Sequence, residues 1–153
     1  MKLITFLILL FSLSPISIAQ DSSVYELLNT GTLQTINQKI EKLKPSIEKS
    51  NIYKCYYGSL ISKKSEKIKS PKEKISNFKI GVSFIEESIK NDPKNSELRF
   101  LRYLIQVKSP KIVSYKNNIK EDKTFIEKNK ITPKLKDLIT NFNLKNPTNQ
   151  ISI

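Results

Sequence analysis

Apolar residues recur at helical spacing in one segment after another, and alternating, strand-like stretches are scarce. Val24, Leu27 and Leu28 predict a short helix over Asp21–Thr30, stopped at Gly31. Thr32 can cap a second helix, in which Leu33, Ile36, Ile40 and Leu43 share a face until Pro45 ends it. A third is predicted from Ser46 to Lys63, with Tyr53, Tyr56, Tyr57, Leu60 and Ile61 as its apolar face. At about 100° per residue, Cys55 points away from that face. Ser70-Pro71-Lys72-Glu73 reads as a helix start: a serine cap, a proline whose missing N–H costs nothing there, and a glutamate able to close a capping box. Ile75, Phe78, Val82, Ile85 and Ile89 follow on one face, and Gly81 and Ser88 among them let a neighbouring helix come close.

Beyond the turn Asn91–Asn95, Ser96 can cap a helix over Glu97–Val107 that carries two apolar sets. Leu98, Leu101 and Ile105 form one, and Phe100, Leu104 and Val107 the other, so this helix is expected to pack between neighbours. A helix from Tyr115 to Asn129 and a last one from Pro133 to Phe142 complete the pattern. The expected fold is all-α: a compact array of six or seven helices joined by short turns, forming a single domain over residues 20–142, with a flexible tail at 143–153.

The first residues follow a different rule. Lys2, the apolar run Leu3–Phe11 and the small residues of Ser17-Ile18-Ala19 predict a signal peptide over residues 1–19, cut ahead of Gln20. Ala19 is the only alanine in the chain, and it stands where signal peptidase demands a small side chain. The protein is therefore expected to be exported, to the periplasm or beyond, with no transmembrane span after cleavage.

Composition narrows the chemistry. With no His and one Cys, the chain has no imidazole base, no His metal ligand and no intramolecular disulfide. Three scattered Gly cannot build a phosphate-cradling loop. No catalytic residue, cofactor or metal site is expected, and the protein is not expected to be an enzyme. The net charge of +13 has two readings, attraction to an acidic partner or a nucleotide-composition bias that favours Lys, Ile and Asn over Arg and Ala. The charge is also uneven. Residues 42–80 hold eleven Lys against three Glu, and 108–136 hold nine Lys against three acids, while 81–107 balance.

The stretch GVSFIEESIKNDPKNSELRF, Gly81–Phe100, resembles the second helix of a tetratricopeptide repeat running into the next repeat. Gly81 and Ser88 stand at the family's small positions, Ile85 at the large apolar one between them, and Asp92-Pro93 at the closing turn. The wider run from Ser70 to Ile126, including SPKEKISNFKIG and NDPKNSELRFLRYLIQ, is similar to an uncharacterised group of small exported proteins of Bacteroidota. These resemblances imply helix-turn-helix packing and an exported helical protein.

Arg99 and Arg102 are the only arginines and lie one turn apart. In a chain that uses Lys by default they point to planar, multi-donor hydrogen bonding, with Glu86, Glu87, Glu121 and Asp122 as candidate acceptors. The cluster can be structural or can bind a ligand carboxylate. Cys55 is either a packed small hydrophobe or a free thiol open to an intermolecular disulfide. The Tyr53, Tyr56 and Tyr57 ridge is expected to serve the core rather than to stack on bases. The expected function is a non-enzymatic protein-protein interaction module with an unidentified partner. The alternative is a cationic binder of anionic envelope lipid or polysaccharide. Nucleic acid is not an expected partner.

Overall fold

A computed structural model describes residues 21–153, so the predicted signal peptide lies outside the described residues. The described chain is all-helical, and its seven α-helices are α1 (Ser22–Thr30), α2 (Leu33–Leu43), α3 (Asn51–Ser65), α4 (Pro71–Asn91), α5 (Ser96–Lys108), α6 (Ile119–Lys128) and α7 (Pro133–Lys145). Short 3-10 turns occupy Lys44–Ser46, Lys111–Val113 and Pro147–Asn149. Several starts follow from local chemistry. Ser70 caps α4, with Pro71 in its first turn, and Thr132 caps α7 ahead of Pro133. Thr32 and Thr35 close a reciprocal capping box on α2.

The hub is α3, which lies along α4 and also touches α1, α2 and α5. A helix with neighbours on so many sides has no fully polar face, which is why Ile52, Cys55, Tyr56, Leu60 and Ile61 are all buried together with Ser59, Ser62 and Ser65. Two glycines set the spacing. A Cβ added to Gly58 would stand 2.5 Å from the Gly81 carbonyl oxygen, and one added to Gly81 would stand 2.5 Å from the Gly58 carbonyl oxygen. The backbones of α3 and α4 thus cross directly, through the small position the sequence marked at Gly81.

On the other side, α5 packs against α3, α4 and α6. Its Leu98, Leu101, Phe100 and Tyr103 are almost fully buried. Rings continue the core outward: Tyr25 stacks on Phe100 at 5.9 Å, and Phe142 of α7 meets Phe100 and Tyr103 edge-on, each at 5.9 Å. Tyr56 is wholly buried, and Tyr53 and Tyr57 are half-buried against the core.

Five features differ from the sequence expectation. The cap of α5 is Asn95 rather than Ser96: Asn95 Oδ1 accepts the Glu97 and Leu98 N–H groups at 3.0 and 3.3 Å, which leaves Ser96 as the first helical residue. α3 begins at Asn51, not Ser46, because Pro45 closes a 3-10 turn and the chain becomes extended at Ser50. It runs on to Ser65, two residues into the expected basic connection. α6 begins at Ile119 rather than Tyr115, because Ser114 adopts the left-handed region with φ 48° and breaks the helical path. The C-terminal residues, expected as a flexible tail after Phe142, extend α7 to Lys145 and then turn back. Asn143 clamps the turn by donating from Nδ2 to the Ile151 carbonyl at 2.7 Å and accepting from the Ile151 N–H at 2.9 Å, and Ile151 is 1% exposed.

Candidate functional site

The two arginines of α5 project toward α4 and α6, where they meet acids. Arg102 grips Asp122 with a fork: Nε donates to Oδ2 at 2.7 Å and Nη2 to Oδ1 at 2.6 Å, while Nη1 donates to Glu86 Oε2 at 2.9 Å. Arg99 donates to Glu121 Oε1 at 2.5 Å, to Asp122 Oδ1 at 3.2 Å and to the Pro93 carbonyl at 3.3 Å. Its guanidinium also lies over Phe125, 5.0 Å from the ring centre. Tyr115, held in place by the turn before α6, donates to Glu86 Oε1 at 2.5 Å.

Electrostatics follow this geometry. Burial works against the Arg102 charge, but hydrogen bonds and attraction from Asp122 and Glu86 outweigh it and hold the guanidinium above its ordinary pKa. Burial and the bond to Glu86 push the Tyr115 hydroxyl up. Hydrogen bonds from Asn118 and Arg99 hold Glu121 below the usual carboxylate range.

Of the sequence candidates, the structure brings Arg99, Arg102, Glu86, Glu121 and Asp122 together and adds Tyr115. Glu87 is elsewhere, accepting from Lys54 Nζ of α3 at 2.6 Å. Cys55 is fully buried, and burial pushes its thiol well above the ordinary range. Each guanidinium nitrogen of Arg102 donates to a carboxylate. That engages three of its five N–H groups, in a residue only 4% exposed. Among the described residues no group of three or more His, Cys, Asp or Glu side chains could hold a metal ion.

A second polar contact lies deeper. Glu97 of α5, 8% exposed, accepts from the hydroxyls of Tyr25 (2.9 Å) and Tyr56. Tyr56 Oη in turn accepts the Asp21 N–H at 3.1 Å. Burial, reinforced by Glu97, raises the pKa of both phenols.

Open space is found elsewhere. A cavity of about 730 Å³ lies between α1, α3, the start of α4, the end of α5 and α7. Buried Phe78, Phe100, Leu104, Ile105 and Phe142 form its floor. Lys63, Lys74, Lys108 and Lys145 stand around its mouth with Glu26 and Glu66. Glu66 is taken by Lys63, whose Nζ donates to it at 2.6 Å. Among the described residues, Lys74, Lys108 and Lys145 have no carboxylate within ion-pair distance, since no such pair involves them. Lys108 loses some of its hold on its proton, first to burial and then to repulsion from Lys63 and Lys145.

Sequence reasoning did not reach this cavity. Two signals pointed toward it: the second apolar set of α5, Phe100 and Leu104, and the two basic regions, which contribute Lys63, Lys74 and Lys108 to one mouth. What the sequence lacked was the knowledge that these distant regions converge. Comparison with known protein families, with curated proteins and with solved structures finds no match for this chain.

Proposed function

We propose that the protein is a non-enzymatic binding protein and that the cavity beside α5 receives a small molecule with an apolar body. The observation that carries this reading is the cavity itself: 730 Å³ of space over a floor of buried aromatic and aliphatic side chains. Its volume falls inside the range of about 300–1,000 Å³ usual for sites that enclose small ligands. Whatever apolar surface this lining still leaves open to water is unfavourable, and covering it with apolar ligand surface gains roughly 25 cal/mol per Å². The arginine cluster supports the same reading by contrast, since both guanidiniums are held by internal acceptors.

Between the two functions expected from sequence, the cavity supports the alternative, a cationic binder of anionic envelope lipid or polysaccharide, in its lipid form, over a protein-protein interaction module. Export, predicted by residues 1–19, would place the cavity where such molecules occur. Among the described residues no helix is long and apolar enough to cross a membrane, so the reading needs no span within them.

The test uses a neutral, apolar fluorophore such as Nile red. Saturable binding at one dye per chain is expected, with its emission enhanced in the bound state. Leu138→Trp, which places an indole in the cavity, should abolish that binding while leaving the helical circular dichroism spectrum intact. Non-saturable binding, or binding indifferent to the indole, would overturn the reading.

A further inference from the structure

We infer that the ligand of this cavity is a single-chain anionic amphiphile, an unbranched acyl or alkyl chain with a carboxylate or phosphate head, the chain on the Phe100–Leu104–Phe142 floor and the head among Lys63, Lys108 and Lys145. This inference rests on the cavity being a binding site and goes further in naming what it selects.

The body of the ligand is fixed by what the wall does not offer. Buried Ser65 spends its hydroxyl proton on the Ser62 carbonyl at 2.6 Å, and buried Ser109 spends its own on the carbonyls of Gln106 and Tyr115 at 2.8 and 3.0 Å. Ser62 is turned toward α4, its Oγ only 2.3 Å from where a Cβ on Gly81 would stand. Two of these three serines have spent their protons and Ser62, whose Oγ is buried without a hydrogen-bond partner, faces α4, so the deep wall offers little to a ring system studded with polar groups. Such a ligand would leave its own polar atoms unpaired on entry, at a cost that a plain hydrocarbon chain avoids.

The head is fixed by charge at the mouth. Three helices deliver lysines to it, Lys63 from the end of α3, Lys108 from the last residue of α5 and Lys145 from the last residue of α7. All three sit at helix C-termini, where the helix dipole favours the lysine cations and disfavours an anion, so the head is held by the ammonium groups and not by the helix ends. Lys63 and Lys145 each repel the Lys108 charge, and Glu66, already paired with Lys63, is the acid that acts on it. An anion placed among them removes that repulsion and gains charge-assisted hydrogen bonds. A neutral head gains neither.

The experiment is calorimetry on the full chain with laurate, dodecyl phosphate and dodecanol, beside sedimentation with phosphatidylglycerol vesicles. Both single-chain anions are expected to bind one per chain, tighter than dodecanol by about tenfold or more. Lengthening the chain should tighten binding by about fourfold per methylene until the cavity is full. In the double variant K108E/K145E the preference for anion over alcohol should fall to about one. These are surface positions, so the variant is expected to fold. Dodecanol bound as tightly as laurate would overturn the anionic head and leave the apolar cavity standing. None of the three binding would overturn both readings. A preference that survives K108E/K145E would overturn the assignment of the head. Vesicles bound while the single-chain anions are not would mean that the lysines serve a flat membrane-facing surface, which also overturns it.

Discussion

On one side of α5, Arg99 and Arg102 meet carboxylates and a carbonyl at 2.5–3.3 Å, while on another Phe100, Leu104 and Lys108 border about 730 Å³ of space. Both sides come from one helix of 13 residues, and its periodicity separates them. The charged side has the residue types that usually draw the eye as an active site, yet both its guanidiniums are held by internal acceptors. The apolar side has the residue types of ordinary core, yet it is where matter is missing. Reactive-looking residues thus make the closed region, and bland ones make the open region. Completeness of partnering, more than residue type, distinguishes a structural cluster from a site.

The largest expected effect comes from breaking the closed side. Asp122 is 0% exposed and lies between two guanidiniums, so Asp122→Ala leaves two buried or half-buried cations without their shared anion. A loss of about 3–5 kcal/mol is expected in urea denaturation. The combined replacement Arg102→Met with Asp122→Leu removes both charges, and much of that loss should return. If the double variant is as unstable as Asp122→Ala alone, the cluster does more than neutralise its own charges.

Next in size is a comparison of two leucines one turn apart. Leu101 is wholly enclosed, whereas Leu104, 8% exposed, borders the cavity. Truncation to Ala is expected to cost about 2–5 kcal/mol at Leu101, and at Leu104 to lie at the bottom of that range. The reason is that Leu104 already lacks neighbours on one side. Equal losses would mean that the cavity is filled by side-chain rearrangement in solution.

Alkaline pH tests the two regions together through their tyrosines. Tyr56 donates to Glu97 beside the apolar face, and Tyr115 donates to Glu86 in the charged cluster. Burial and those carboxylates raise both phenols above the ordinary value near pH 10. Above that pH the unfolded chain releases these protons and the folded chain keeps them, so the folded state binds more protons and stability falls as pH rises. About 1 kcal/mol per tyrosine is expected to be lost between pH 10 and 11. Denaturation midpoints across that interval check it, and Tyr115→Phe should remove about a quarter of the slope, since Tyr25, Tyr56 and Tyr103 are raised as well.

Much of this fold was legible because helix signals are local. The caps at Thr32, Ser70 and Thr132 and the glycine at the α3–α4 crossing are written in short windows of sequence. The breaks that were missed depend on single backbone torsions, such as the left-handed Ser114, which no periodicity reports. Ile151 was missed because a buried hydrophobe in a polar tail has no pattern around it. In the site, the Arg99–Arg102 cluster was visible through two unusual residues one turn apart. The cavity was not, because emptiness is a property of five elements meeting, and each of its lysines reads alone as ordinary surface.

The smallest expected effect belongs to Cys55, whose two readings, packed or exposed, the comparison of closed and open regions decides. It lies on α3 with no exposed surface, and burial raises its thiol, so the thiolate that reacts is scarcely present in the folded chain. A thiol reagent such as DTNB should therefore label the native protein only as fast as it opens, and at once in denaturant. Non-reducing gels of the protein held in air should show a monomer. A dimer band lost on reduction would mean that α3 exposes this face in solution.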